Sequence, residues 1–218
     1  MRKQWYSFLL WGRLAYEPDL PDTHFQSIVT RHFPEVNGAA LYQAWAEASQ
    51  VFPLITRFFW GDIDLRWFPE ACLSHPRHRG FYTVRHFVEG QSMPGSGVLN
   101  ILEWRKRKLA GQAMGGVTPL EIAASLESAA AKAMDGIAAM PGGSQELRET
   151  LGDIRAMSYL AQYYSAKIRG AAALALYDRS SNAGEKKEAV EALTRAATAW
   201  QNYARTYSEQ YTTPHLYN

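Results

Sequence analysis

Apolar and small residues recur at three- and four-residue steps along the second half of this 218-residue chain. That spacing lines up the residues on one face of a helix. The longest run extends from residue 145 to about residue 177 and contains no proline. Since an α-helix rises 1.5 Å per residue, these roughly 33 residues would span 50 Å. The pattern predicts one long helix in this half.

Two further helices flank the long one. Thr118, Pro119 and Glu121 supply an N-cap, a proline at the first helical position and the partner of a capping box. The helix that begins there is expected to reach about Met140, and the third helix follows a break at residues 180–184. Because short connections make neighbouring helices antiparallel, we predict an antiparallel three-helix bundle. The inner face of the third helix is formed by Ala189, Leu193, Ala196, Trp200, Tyr203 and Tyr207.

The first half is also helical but less regular. We expect helices over residues 4–16, 22–33 and 38–59, the last of them kinked at Pro53 because proline lacks a backbone N–H. From residue 60 to residue 97 the helical period disappears, and prolines and glycines accumulate. A stretch this long without periodicity predicts a long, aromatic-rich loop with a functional role.

Composition changes near residue 110. Six of the seven tryptophans and five of the six histidines precede it, whereas the residues after it are rich in alanine. We therefore predict an irregular helical portion that bears the loop, residues 1–110, followed by the three-helix bundle, residues 111–218. The chain as a whole is predicted to be all-α, with the functional site in its first portion.

Charge and cysteine content narrow the classes of function. The formal net charge of +2 provides no basic field for nucleic acid, and the basic run at residues 105–108 is typical of a solvated helix end. The single cysteine, Cys72, excludes an intrachain disulfide but leaves the compartment open.

The N-terminal apolar run is too short to span a bilayer, so no membrane partner is predicted. A periplasmic or extracellular location is expected if the chain belongs to an exported enzyme.

Segment 60–82 gathers aromatic, acidic and basic residues in one irregular stretch. Aromatic faces beside hydrogen-bonding side chains suit a sugar, which offers an apolar ring face and a rim of hydroxyls. Arg66, Arg77 or Arg79 could hold a uronic-acid carboxylate with a fork of two hydrogen bonds. Alternatively, these charges pair with one another and hold the loop to the bundle. The predicted substrate-binding residues are Trp60, Asp62, Asp64, Arg66, Trp67, Glu70, His75, His78, Arg79 and Tyr82.

Two other interpretations of this segment stay open. One is a zinc site, for which a cysteine and three histidines have suitable spacing. A proline between two of the histidines and the lack of a second cysteine weaken it, so no metal and no other cofactor is predicted. The other is a small glycosidase that uses a pair of loop carboxylates. The zinc candidates are Cys72, His75, His78 and His86, and the carboxylates are Asp62, Asp64 and Glu70.

The opening residues 5–20, WYSFLLWGRLAYEPDL, resemble a segment of α-glucuronidases. In those enzymes a Gly-Arg-Leu-Ala-Trp-Asn/Asp-Pro-Asp-Leu segment begins the helical C-terminal region, just after the catalytic barrel. Tyr16 and Glu17 depart from the commoner Trp-Asn/Asp pair. Residues 116–120 and 153–156 are similar to motifs at the C-terminal ends of uncharacterised relatives from polysaccharide-degrading bacteria.

The resemblance implies a C-terminal helical module of a glycoside-hydrolase-like protein whose catalytic barrel is missing from this chain. In such enzymes the helical portion packs against the barrel, contributes to the rim of the pocket and mediates dimerisation. The implied partners are therefore a carbohydrate, containing uronic acid in the favoured case, the barrel domain and a second copy of the chain. On this interpretation the chain has no catalytic pair of its own.

Two alternatives remain: a free-standing carbohydrate-binding or interaction module, and the small glycosidase. An exposed apolar face on the first helix would favour the module of a larger protein, because large exposed apolar patches mark missing partners. The residues that would form that face are Trp5, Phe8, Leu9 and Trp11.

Overall fold

The computed structural model of the chain describes residues 4–60 and 82–211. Within those ranges the chain is helical, with two isolated β-bridges (Trp60 to Gln91 and Val98 to Val117) and no strand, so the all-α prediction is confirmed. None of the helices in these ranges is both long enough and apolar enough to cross a membrane. The helices are α1 (Trp5–Tyr16), α2 (Asp22–His32), α3 (Gly38–Ser49), α4 (Val51–Phe58), α5 (Val84–Glu89), α6 (Ile101–Leu109), α7 (Pro119–Ile137), α8 (Gln145–Ser180) and α9 (Ala183–Gln210).

Helix α8 is the centre of the fold. Helices α7 and α9 both pack along α8. The turn between α8 and α9 is only two residues long, Ser181 and Asn182, and Ser181 adopts a left-handed backbone with a φ of 55°. So short a turn reverses the chain direction, which makes α8 and α9 antiparallel as predicted. On the other sides, α3 packs on α7 and α8, while α4, α5 and α6 pack on α8.

Two helix ends in this bundle differ from the prediction. Helix α7 ends at Ile137, not at about Met140, because the amides of Ala138 and Met140 bond to carbonyls three residues earlier, those of Asp135 and Ile137. Such bonds tighten the last turn and end the α-helical ladder. Helix α8 continues to Ser180, three residues beyond the expected end.

The predicted kink at Pro53 is instead a break between two helices. The chain leaves α3 at Ser49 and begins α4 at Val51, and the amide of Gln50 bonds to the carbonyl of Glu47. Pro53 is the third residue of α4, where an amide has no partner within its own helix. The missing N–H of proline is therefore tolerated there, and the interruption lies upstream of the proline.

The predicted long loop contains a short helix, which corrects the prediction of an aperiodic stretch from residue 60 to residue 97. Helix α5 begins after Thr83, whose side chain accepts a hydrogen bond from the amide of His86. In return, the Nδ1 atom of His86 accepts a hydrogen bond from the amide of Thr83 at 2.9 Å. This reciprocal cap involves a histidine in place of the usual Glu or Gln, and the sequence pattern did not reveal it.

The hydrophobic core joins both halves of the chain. One cluster packs Ile55 and Phe87 from the first half with Leu160 from α8, and a second packs Leu41 with Leu147. Helix α8 contributes to all three core clusters of the described residues. The division at residue 110 stays a prediction from composition.

The capping box of α7 should contribute measurably to stability. The side chain of Thr118 accepts a hydrogen bond from the amide of Glu121 at 3.2 Å, and the carboxylate of Glu121 accepts one from the amide of Thr118 at 2.7 Å. We expect Thr118→Ala to lower the free energy of unfolding by about 1 kcal/mol in urea denaturation. Ser125→Ala, at an exposed position of the same helix, is the control and should change stability little. Equal losses in the two variants would contradict a role for the cap.

Candidate functional site

The residues on either side of segment 61–81 lie in the same part of the fold. The amide of Trp60 donates to the carbonyl of Gln91 at 2.7 Å, and the amide of Met93 donates to the carbonyl of Arg57 at 2.9 Å. These bonds hold the end of α4 beside the residues that follow α5. Tyr82, which precedes the N-cap residue Thr83 of α5, is buried, whereas Trp60 is half-buried.

Aromatic rings pack where these two ends meet. The ring of Phe59 lies 5.1 Å from the ring of Tyr82 and 5.2 Å from that of Phe87, measured between centroids. Tyr82 also meets the ring of His86 edge-on at 5.5 Å. A side chain at Gly90 would lie 2.7 Å from the ring of Phe59, so only glycine admits this approach. The result is an aromatic cluster at the junction of α4 and α5.

A buried lysine lies beneath this cluster. Lys167, on α8, is only 5% exposed. Its ammonium group donates hydrogen bonds to the main-chain oxygen of Tyr82 and to the hydroxyl of Tyr163, both at 2.6 Å. It also lies over the ring of Phe87, 4.3 Å from the centroid, which is a cation–π distance. Lys167 therefore connects Tyr82, the first described residue after position 81, to the central helix.

Chemically, the junction brings aromatic rings together over a buried ammonium group that is already bonded to Tyr82 and Tyr163. Aromatic ring faces are the groups that stack on the apolar face of a sugar ring. Among the described residues no three histidine, cysteine or carboxylate side chains converge on a metal site. Of the four zinc candidates, only His86 lies within the described ranges, and its Nδ1 atom accepts the capping bond from Thr83.

Of the ten predicted substrate-binding residues, the structure places two, Trp60 and Tyr82, at this junction. The other eight lie outside the described residues, as does the zinc candidate Cys72, and their roles stay predictions. Those eight are Asp62, Asp64, Arg66, Trp67, Glu70, His75, His78 and Arg79.

Sequence reasoning missed Lys167 as a member of the site. A signal was present: between Arg155 and Asp178 the only charged residues are Lys167 and Arg169, in a run otherwise composed of small, aromatic and aliphatic residues with one glutamine. A lysine inside such a run is a candidate for burial with dedicated partners. Periodicity alone could not identify those partners, because Tyr82 is 85 residues away in the chain.

Two other polar regions lie apart from the junction. The basic run at the end of α6 makes internal contacts: Arg107 pairs with Glu103 at 2.8 Å and donates to the carbonyl of Met114 at 2.6 Å. A groove of about 910 Å³ lies between α7, α8 and α9, where Arg169 pairs with Glu127 at 3.0 Å. The residues that line this groove include no aromatic ring. The junction, which has the rings, is therefore the better candidate for a sugar.

No protein-family model matches the chain, and no curated protein matches it. Among solved structures, the chain is similar to a GH138 enzyme targeting pectin rhamnogalacturonan II, with a TM-score of 0.73 and 17% sequence identity. The similarity covers 91% of this chain, which spans 24% of the length of that enzyme. At this identity the similarity establishes a shared fold: the chain has a helical fold that is also found in one part of a glycoside hydrolase.

Proposed function

We propose that the chain is a helical module of a glycoside-hydrolase-like protein that contributes to carbohydrate binding through the junction of α4 and α5. The observation that carries this proposal is the similarity of nearly the whole chain to one part of a glycoside hydrolase, 91% against 24% coverage. The proposed ligand is a plant polysaccharide that contains uronic acids, the class implied by the resemblance to α-glucuronidases. The proposal includes no catalytic pair in this chain.

The junction supports a carbohydrate ligand by its composition. Trp60 is half-buried, and it and Tyr82 flank in sequence the segment that carries the remaining predicted residues. We propose that Lys167 acts by positioning Tyr82 and not by touching the sugar, because the lysine is buried. A fixed platform loses less conformational entropy on binding than a loop that must first become ordered.

The exposed face of α1 supports a module of a larger protein over a free-standing one. Phe8 is 64% exposed, Trp11 82% and Tyr16 91%. Phe8 and Trp11 are three residues apart, so they lie on the same side of the helix. Trp5 and Leu9, which the sequence analysis assigned to this face, are instead half-buried and pack against the second core cluster. We propose that the exposed rings contact the catalytic domain or a second copy of the chain.

The first test is isothermal titration of the purified chain with glucuronic acid, glucuronoxylan fragments and pectin oligosaccharides. We expect Trp60→Ala to weaken binding about tenfold, which corresponds to the loss of one good aromatic stacking contact. The main-chain bond between Trp60 and Gln91 survives this substitution, so the fold should be retained. Circular dichroism checks that it is.

Trp11→Ala is the matched control, since it removes a tryptophan far more exposed than Trp60 from a different helix. Equal binding by wild type, Trp60→Ala and Trp11→Ala would refute the proposed surface. Release of reducing sugar by the isolated chain would refute the absence of a catalytic pair. Light scattering on the same samples measures their mass in solution and so tests whether the exposed rings of α1 contact a second copy of the chain.

A further inference from the structure

Helix α6 and the end of α8 meet at a cationic pocket outside the junction. The ring of Trp104, on α6, lies in the same buried cluster as Leu176 of α8. This contact lets the two helices line one pocket of about 660 Å³. Ligand sites in proteins have volumes of about 300–1,000 Å³, so a sugar unit fits. The cations that line this α6 pocket are Arg105, Lys106 and Arg179.

The charged groups of the α6 pocket are open to a ligand. Lys106 and Arg179 are exposed, and neither forms an ion pair or a side-chain hydrogen bond with the residues that the structure describes. Arg105 is half-buried and donates one hydrogen bond, from Nη1 to the carbonyl of Ala175 at 3.2 Å. That bond fixes the guanidinium on α8 and leaves most of its N–H donors available.

The carboxylates nearest in sequence to these cations already have other partners. Glu103, which also lines the pocket, pairs with Arg107 at 2.8 Å. The hydrogen bond from Arg107 is the largest cause that lowers the pKa of Glu103 below its ordinary value. Asp178, two residues before the end of α8, pairs with Arg85. The positive charge that lines the pocket is therefore not cancelled by either carboxylate.

Helix dipoles account for only part of this charge. Lys106 lies in the last turn of α6 and Arg179 in the last turn of α8, where cations complement the negative ends of the helices. Each helix end is equivalent to about half a negative charge, so the two ends together amount to about one. Three cations line the pocket, so it remains attractive to an anion.

The pocket is connected to the junction along the protein surface. Asn100, the N-cap residue of α6, lines the pocket, and its side-chain amide donates a hydrogen bond to the side chain of Gln91 at 3.1 Å. Gln91 is exposed, and its main-chain oxygen accepts the hydrogen bond from the amide of Trp60. One exposed residue therefore contacts both Trp60 of the junction and a residue of the pocket.

We propose that the α6 pocket binds carboxylate groups of an acidic polysaccharide whose neighbouring sugar rings contact Trp60. This inference rests on the proposed function and deepens it, because it assigns the recognition of charge to named residues. Lys167 does not serve that purpose, since it is buried and bonded to Tyr82 and Tyr163. In the pocket, each arginine offers a carboxylate a fork of two hydrogen bonds, and Lys106 adds a point charge.

A nucleic-acid strand is the other common polyanion, and the pocket suits it less well. Phosphate backbones are bound by broad basic surfaces, whereas the formal net charge of this chain is only +2. Single strands are also held by stacking of their bases, and no aromatic ring lines the α6 pocket. A polymer that carries isolated carboxylates on hydroxylated rings is the better match.

The test titrates the purified chain with polygalacturonate oligomers and with the same oligomers as methyl esters. Esterification removes the negative charges and keeps the sugar rings. We expect wild type to bind the acid about tenfold more tightly than the ester at low salt, because several exposed ion pairs form. The preference should shrink at high salt, which screens exposed charges.

The decisive variants remove the cations of the pocket. Arg179→Gln should weaken binding of the acid about threefold, and its combination with Lys106→Gln should abolish most of the preference over the ester. The matched control is Arg31→Gln, because Arg31 is also exposed and also lies in the last turn of a helix, α2. Helix α2 contacts the opposite end of α8, where His32 pairs with Glu146. Circular dichroism checks that each variant is folded.

The outcomes separate this inference from the proposed function. Trp60→Ala should weaken binding of acid and ester alike, whereas the pocket variants should affect the acid alone. If the double variant keeps the wild-type preference for the acid, or wild type has no such preference, the inference is wrong and the junction is unaffected. If the pocket variants weaken binding and Trp60→Ala does not, the pocket stands without the junction. An oligonucleotide that binds more tightly than the acid would overturn the assignment to a polysaccharide, and absence of sugar binding by wild type overturns both proposals.

Discussion

Replacing Lys167 with methionine is expected to lower the free energy of unfolding by about 3 kcal/mol, because the substitution removes two hydrogen bonds of a charged donor, and such bonds contribute about 1.5–3 kcal/mol each. The substitution keeps the length of the apolar stem but removes the donor to the Tyr82 carbonyl and to the Tyr163 hydroxyl. Since the bond to Tyr82 joins α8 to the junction, sugar affinity should fall as well. Urea denaturation followed by circular dichroism measures the first effect, and titration of the folded variant measures the second.

Lys132→Met is the matched control for this prediction. Lys132 has a side chain that is 62% exposed and pairs with Glu47 at 3.4 Å. Exposed pairs of this kind contribute about 0–1 kcal/mol, so the control should unfold at nearly the wild-type urea concentration. A Lys167→Met protein as stable as this control would show that the buried lysine does not hold the junction together.

Gly38→Ala is expected to cost about 3 kcal/mol, near the upper end of the range for overpacking. Gly38 begins α3 and is buried against α2. A Cβ atom there would lie 2.5 Å from the backbone nitrogen of Thr30 and would overlap its Cα. Backbone atoms cannot rotate away as a flexible side chain can, so α2 and α3 would have to separate.

The control is Gly12→Ala, which changes the same residue type inside α1. A Cβ at Gly12 meets nothing within 4 Å. Alanine is favoured over glycine in a helix by about 0.5–1 kcal/mol, so this variant should be slightly stabilised. Thermal unfolding of both variants measures this difference: the midpoint temperature should fall for Gly38→Ala and rise slightly for Gly12→Ala. Unchanged stability in Gly38→Ala would mean that α2 and α3 are not held at the close distance described.

The candidate site was only partly accessible from sequence. Trp60 and Tyr82 stood out because aromatic residues flanked an aperiodic segment, and the structure shows both at one junction. Lys167 did not stand out, because its burial depends on Tyr82 and Phe87, which reach it only after α5 has packed on α8. The inner face predicted for α9 included Tyr207, whereas this residue is exposed.

Local signals in the sequence determined the helices themselves. Caps such as Thr118 and Ser144, breaks such as Ser181 and the three- and four-residue period act within a few residues, so they can be read without a tertiary structure. The all-α class follows from them. The break before Pro53 and the end of α7 were displaced by only a few residues, whereas the short helix α5 was missed because its cap uses a histidine.

The tertiary structure decided which faces are buried and which residues meet. Helix α8 packs against α7, α9 and α4 to α6. The buried residues of α8 therefore cover much more of the helix than the single apolar stripe that the sequence pattern indicated. Burial of this kind is a sum over contacts between residues distant in sequence, and no local pattern encodes it. For the same reason, the position of a buried ammonium group beneath the junction and the exposure of Trp11 on α1 and of Tyr207 on α9 were settled only when the helices packed together.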